Sequence, residues 1–172
     1  MKAAYLHTFQ DLRMMEIEKP VPGPTEALIK VIYGGVCGSD ITVYRGLHPT
    51  ATAPVVLCHE ILGRIEQLPA GYQGPFQIGE RVLMNPVVSC GHCGACKGGH
   101  ENVCTTLKLL GIHENGGFAE YTKVDVARLV KTDPALSDEL AALGEPLAVG
   151  YHVNMRAGLQ KGDTALVIGA GT

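Results

Sequence analysis

Four cysteines crowd into one stretch of the chain. Cys90, Cys93, Cys96 and Cys104 read C-x2-C-x2-C-x7-C, the first three inside Ser89-Cys90-Gly91-His92-Cys93-Gly94-Ala95-Cys96-Lys97-Gly98-Gly99-His100. Thiolates at that spacing, with glycines to permit tight turns, suit a closed tetrahedral zinc site. Four sulfurs leave no coordination position for a substrate, so such a zinc would staple a long loop rather than perform chemistry. Closely spaced cysteines also ligate iron–sulfur clusters, which is the competing reading. A zinc ribbon that reads nucleic acid pairs two C-x2-C units across a longer gap, and this chain offers no basic face to accompany one. His92 and His100 share the loop, but beside four thiolates they read as exposed loop residues.

The remaining cysteines stand apart, Cys37 in Gly34-Gly35-Val36-Cys37-Gly38-Ser39-Asp40 and Cys58 in Leu57-Cys58-His59-Glu60-Ile61-Leu62-Gly63. Cys37, His59 and a carboxylate would make a three-ligand site with one position open, and open zinc is catalytic zinc. The plainer alternative is a small buried cysteine packed beside glycines.

Short strands and turns must position these groups. The 172 residues include 22 Gly and 10 Pro, nearly a fifth against a usual share of about 12%. Aromatics make up 5% and Trp is absent, so a core would rest on Val, Ile, Leu and Ala. Apolar or alternating runs predict strands at Leu28 to Tyr33, Ile61 to Leu68, Arg81 to Met84, Phe118 to Val124 and Arg128 to Val130. The first ~130 residues thus read as an irregular β unit with long loops.

After Thr132-Asp133-Pro134 the texture changes. Ser137-Asp138-Glu139 predicts a capped helix ending near Gly144, and Pro146 a second one running to Gly158. A turn at Gln160 to Asp163 leads into an apolar strand, Thr164 to Ile168, then Gly169-Ala170-Gly171. A strand running into Gly-x-Gly is how a dinucleotide-binding βαβ unit begins, because glycines let backbone approach a pyrophosphate. Gly169 and Gly171 are therefore candidate cofactor contacts, and the sequence reads as a piece of a longer protein. The expected division is 1–145 and 146–172.

Charge narrows the classes. Fourteen Lys and Arg against 17 Asp and Glu give a net charge of −3, which argues against nucleic acid or a membrane surface as partner. No uncharged apolar run nears the roughly 20 residues of a membrane helix, and Met1-Lys2-Ala3 leads into mixed sequence rather than a signal peptide. A cytoplasmic protein is expected, with its thiols kept for metal.

The sequence resembles the zinc-dependent medium-chain alcohol and polyol dehydrogenases, whose catalytic domain is GroES-like. The resemblance rests on Gly-Val-Cys37-Gly-Ser39-Asp40, His59-Glu60 followed by Gly63, Gly79-Glu80-Arg81-Val82, the four-cysteine loop, Gly116-Gly117-Phe118-Ala119-Glu120-Tyr121, and Glu145-Pro146-Leu147-Ala148-Val149 ahead of Gly169-Ala170-Gly171. It implies a mainly β fold with short helices, a partly open GroES-like barrel followed by the first helix and strand of a Rossmann domain. It makes Cys37, His59 and Glu145 protein ligands of a catalytic zinc, with Glu60 as ligand or exchangeable partner, and the four-cysteine loop the holder of a structural zinc. Glutamate at 145 resembles the sorbitol, threonine and sugar-acid branch. Ser39 matches the hydroxyl that takes the substrate proton, and Asp40 the carboxylate that orients the zinc-bound histidine. Outside the resemblance, Ser39 and Asp40 would pass for a turn-capping pair and Glu145 for a helix cap.

The implied reaction is reversible oxidation of a secondary alcohol, a small-molecule substrate, with hydride passing to NAD or NADP in a full-length homo-oligomer. The 172-residue chain alone is expected to be inactive. Two positions depart from the family. Cys58 stands where relatives usually carry glycine, and Thr42 where they often carry a histidine that ends the proton relay. Rival readings are a zinc-free quinone-reductase relative, which would lack the ligands present here, and a non-enzymatic GroES-like interaction module, which would have no use for two metal sites. His7, His48, His113 and His152 lack ligand spacing, and Tyr44 and Arg45 are unassigned.

Overall fold

The computed structural model describes residues 1–169. In chain order its elements are β1 (Lys2–Thr8), β2 (Asp11–Glu16), β3 (Glu26–Gly35), α1 (Gly38–Tyr44), β4 (Val55–Val56), β5 (Glu60–Gln67), β6 (Arg81–Met84) and β7 (Val87–Val88), then α2 (Gly94–Lys97), β8 (Lys108–Leu109), β9 (Tyr121–Asp125), β10 (Leu129–Lys131), α3 (Asp138–Ala142) and α4 (Gly144–Ala157). The expected mainly β architecture with short helices is what the chain adopts.

The largest sheet has five strands in the order β10-β6-β5-β3-β9, with every neighbouring pair antiparallel. A second sheet, β2-β1-β4, joins it through a bridge from Ala3 to Ala119 and a bond from Ala4 N–H to Phe118 C=O of 2.7 Å. Ile29, Ile61, Ile65, Val82 and Val124 fill one apolar cluster, Leu6, Val43, Val55, Leu57 and Ile112 a second, and Phe118 packs against both. These side chains are aliphatic, as a chain short of aromatics requires.

The five strands predicted from patterning all form, displaced at their ends by up to three residues. β5 starts at Glu60, so His59 and Glu60 stand at the mouth of a central strand. Ser137 caps α3 by accepting the Leu140 N–H at 3.3 Å, and Gly158 ends α4 at φ 68°, the left-handed conformation glycine adopts without penalty. α4 begins at Gly144, which puts Glu145 inside its first turn rather than ahead of it. Pro146 is tolerated there because first-turn N–H groups lack intrahelical partners anyway. Arg81 anchors α3 to the sheet through an ion pair with Asp138 and bonds to Thr132 Oγ1 at 3.0 Å and Asp133 C=O at 2.7 Å.

One expectation is corrected. Residues 163–169 form no strand; Leu166 is 87% exposed and Ile168 90% exposed. A strand exists through hydrogen bonds to a neighbour, and among the described residues this segment bonds only at Asp163, in a local turn with Gln160. Gly169 has φ 100°, and Gly171 lies outside the described residues. No helix among the described residues is long and apolar enough to cross a membrane.

The loop between α1 and β4 is pinned by two histidines. His48 Nδ1 accepts the Ala51 N–H at 3.1 Å; His113 Nδ1 accepts the Leu109 N–H at 3.0 Å while its Nε2 meets Thr50 Oγ1 at 2.9 Å. Protonating His113 would put a hydrogen where the Leu109 amide donates. Burial lowers its pKa, as do the neighbouring His48 and Lys108, against an opposing pull from Glu114. Because the folded value lies below the unfolded one of 6.5, the unfolded chain takes up the proton first and stability falls as pH drops below that value. The melting midpoint is expected to be flat above neutrality and to decline on acidification. Replacing His113 by glutamine should flatten that decline, measured by thermal melts between roughly pH 8 and 5.

Candidate metal centres

Two groups of potential ligand atoms converge, Cys90, Cys93, Cys96 and Cys104 in one and Cys37, His59 and Glu60 in the other, each with its atoms within 4.8 Å of one another. In the four-cysteine group the Cys93–Cys96, Cys90–Cys96 and Cys93–Cys104 sulfurs are 3.4, 3.9 and 4.0 Å apart. A tetrahedron of sulfurs at a zinc–sulfur distance of about 2.3 Å has edges of about 3.8 Å. The space suits one ion and is too small for several irons.

Backbone amides prepare these sulfurs for a cation. Cys90 N–H and Thr106 N–H point at Cys104 Sγ at 3.3 and 3.4 Å, and Cys96 N–H points at Cys93 Sγ at 3.5 Å. Amides of Cys96 and Thr105 pull the Cys93 thiol down to about 5, and those of Cys90 and Thr106 lower Cys104. Burial, then sharing of a proton with Cys93, pushes Cys96 up to about 12. Metal binding therefore has to displace protons from the cluster. His92 turns its Nδ1 to Cys90 C=O at 2.7 Å, and His100 stands before a 3-10 turn over Glu101–Val103. Neither joins the group of ligands.

The second group sits where β3 runs into α1 and where β5 begins. Asp40, only 2% exposed, ties the two segments together, its Oδ2 accepting the Cys37 N–H at 2.9 Å and its Oδ1 the Cys58 N–H at 3.0 Å. The bonds the structure gives this carboxylate go to backbone on both sides of the site rather than to the ring of His59. Ser39 Oγ and His59 Nδ1 are buried without a hydrogen-bond partner among the described residues. Buried polar atoms are normally paired, and an orphan ring nitrogen on a histidine grouped with a thiol and a carboxylate fits a bound cation. The soft sulfur, imidazole and carboxylate donors are a zinc set.

Glu145 stands apart from that tight group. Burial raises its pKa, the charge of His59 lowers it and that of Glu60 raises it, so it lies within electrostatic range of both. Thr42 donates to Gly38 C=O at 3.0 Å, which occupies its hydroxyl inside α1.

Cys58 has φ 84° and is fully buried. A left-handed backbone is one that glycine adopts without penalty, whereas an L side chain there costs on the order of 1 kcal/mol or more. A Cβ on Gly34 would lie 2.9 Å, and one on Gly117 3.1 Å, from Cys58 Sγ, so glycines make room for the thiol. Burial and the charge of Asp40 raise its pKa, which keeps it a neutral packing group. The amides aimed at sulfur and the double grip of Asp40 are not visible in the sequence, because they join residues whose proximity depends on the fold.

Comparison with known proteins places this geometry. Residues 23–134 match the alcohol dehydrogenase GroES-like domain family. The starvation-sensing protein RspB of Escherichia coli (strain K12) is 41% identical over 171 residues, which cover 99% of this chain and 50% of RspB. The L-galactonate-5-dehydrogenase of the same strain is 40% identical over 162 residues, 94% of this chain and 47% of that enzyme. A crystal structure described as a short chain alcohol dehydrogenase (rspB) from E. coli CFT073, complexed with cofactor NADH, superposes with a TM-score of 0.88 at 39% identity, covering 95% of this chain and 48% of that one. The chain thus spans about half the length of the relatives it matches.

Proposed function

Because the chain belongs to the alcohol dehydrogenase GroES-like domain family, we propose that it is the metal-holding, substrate-activating part of a zinc-dependent oxidoreductase acting on a secondary alcohol of a polyol or sugar acid, with NAD or NADP as hydride acceptor. The convergence of the Cys37, His59 and Glu60 ligand atoms, with His59 Nδ1 buried and unpartnered among the described residues, carries this reading. Sugar-acid chemistry is supported by the galactonate dehydrogenase among the relatives and by glutamate rather than cysteine at 145.

In this reading Cys37 and His59 hold the catalytic zinc, Glu60 and Glu145 supply carboxylates from two sides, and Cys90, Cys93, Cys96 and Cys104 hold a structural zinc. Bound zinc supplies Lewis acidity to the substrate hydroxyl. Ser39 Oγ, without a partner among the described residues, would take the hydroxyl proton while handing its own to solvent. Asp40 holds the backbones of Cys37 and Cys58 in fixed relation and so sets the distance between the ligand that follows each amide. Residues 1–145 form the catalytic unit, and 146–172 begin a nucleotide-binding unit that would bury the apolar residues α4 exposes, among them Leu147 and Val153. Gly169 and Gly171 would then lie against the cofactor phosphates. A cytoplasmic homo-oligomer is the proposed setting.

Elemental analysis of the purified chain tests this. Two zincs per chain are expected, one lost on Cys37→Ala and the other on Cys93→Ala. A folded protein that keeps a single zinc, insensitive to Cys37→Ala, would overturn the catalytic reading and favour a non-enzymatic module.

A further inference from the structure

Strand β3 ends in Gly34-Gly35, and successive residues of a strand face opposite sides. On one side a Cβ at Gly34 would press on Cys58 Sγ in the core. On the other, Gly35 lies directly opposite Glu60 in the β3–β5 register. A Cβ there would overlap Glu60 Oε2 and stand 2.9 Å from Glu60 Cβ and 3.1 Å from its Cδ. The Glu60 side chain therefore folds back across the bare Cα of Gly35, and from there its carboxylate reaches the Cys37 and His59 ligand atoms.

Conformation does not require glycine at this place. Gly35 is an ordinary strand residue, absent from the positive-φ positions of the chain. Nor does another group hold the carboxylate, which forms no hydrogen bond among the described residues; the bond from Cys58 Sγ goes to the Glu60 backbone C=O. What defines the carboxylate's place is the space that a missing methyl group leaves.

We infer that Gly35 is a positioning residue for the open metal site, its lack of a side chain being what lets the Glu60 carboxylate join Cys37 and His59. This rests on the zinc reading proposed above. An added Cβ would overlap Glu60 Oε2, the far end of a flexible side chain, and would also press on Glu60 Cβ at 2.9 Å, so the carboxylate swings away while β3 and β5 part slightly at the last pair of their register. The strain on the fold falls at the end of the strand pairing, whereas the cost to the site is the loss of a ligand.

The test measures Zn2+ affinity at the open site by chelator competition, with the four-cysteine site kept loaded, in the parent chain, Gly35→Ala, Glu60→Ala and the double variant. Gly35→Ala is expected to weaken binding about 10- to 100-fold, the usual cost of losing the group that orients a ligand, with its melting midpoint close to the parent's. In the Glu60→Ala background the same substitution should weaken binding clearly less than in the parent, because the carboxylate is gone and only the Cβ contact remains. Parent-like affinity in Gly35→Ala, an equal loss in both backgrounds, or an unfolded Gly35→Ala chain would each overturn the inference. A parent chain binding zinc only at the four cysteines would overturn the functional reading itself, and this inference with it. Two zincs in the parent together with an unaffected Gly35→Ala would overturn this inference alone.

Discussion

Replacing Asp40 by asparagine is expected to cost about 2–4 kcal/mol of folding stability and to empty the open metal site while leaving the four-cysteine zinc in place. The carboxylate is almost completely buried and accepts two backbone N–H groups, those of Cys37 and Cys58. Asparagine preserves shape but keeps one acceptor; its NH2 would face the other amide, leaving two buried donors pointed at each other. Bonds to a charged acceptor contribute about 1.5–3 kcal/mol each, and stranding a buried donor costs a further 1–3. The effect on metal follows from position. Cys37 carries one proposed ligand itself, Cys58 precedes another, His59, and Asp40 is the direct tie between their amides. Denaturant unfolding read alongside zinc content checks both halves of the expectation. An asparagine variant with the parent's midpoint and two zincs would show that packing, not the carboxylate, sets the distance.

The second large effect is expected at Cys104. Its sulfur receives the Cys90 and Thr106 amides, lies 4.0 Å from Cys93 Sγ and is the buried member of the quartet by exposure, at 7%. The surrounding loop has little else to hold it: β7 and β8 are two residues each, α2 is four, and α2 buries no side chain. A stretch with so small an apolar core depends on its metal for order. Cys104→Ala should therefore lose one zinc per chain, weaken zinc binding by more than the roughly 100-fold that outer partners supply, and expose residues 89–107 to proteolysis. The five-stranded sheet packs on its own aliphatic cluster and should survive, seen as retained protection of β3 and β5 in hydrogen exchange. Loss of the whole fold would mean the loop and sheet are one cooperative unit.

Much of this site is legible along the chain. The cysteine spacing at 90, 93, 96 and 104, the apolar runs that become β3, β5 and β6, the Ser137 cap and the Gly158 stop are local patterns. Their physics is set by near neighbours: metal-ligand reach, side-chain alternation, orphan amides at a helix end. β1, β2 and α1 escape such a reading. β2 alternates only over Asp11-Leu12-Arg13-Met14 and its apolar side chains are exposed, so the pattern marks no buried face, and α1 is too short at seven residues to display a helical period.

Residue types and spacing by themselves determine that this chain holds a closed thiolate cluster, a sparse second set of ligands and a β framework. Tertiary structure alone decides how the second set is assembled. The β3–β5 register sets Gly35 opposite Glu60, and the packing of α1 brings the Asp40 carboxylate to an amide eighteen positions away. Register and long-range hydrogen bonds follow from how distant strands bury a common core, a collective outcome that no single stretch of sequence records. The four cysteines lie close enough in the chain to find one another, whereas Cys37, His59 and Glu60 meet because two strands pair.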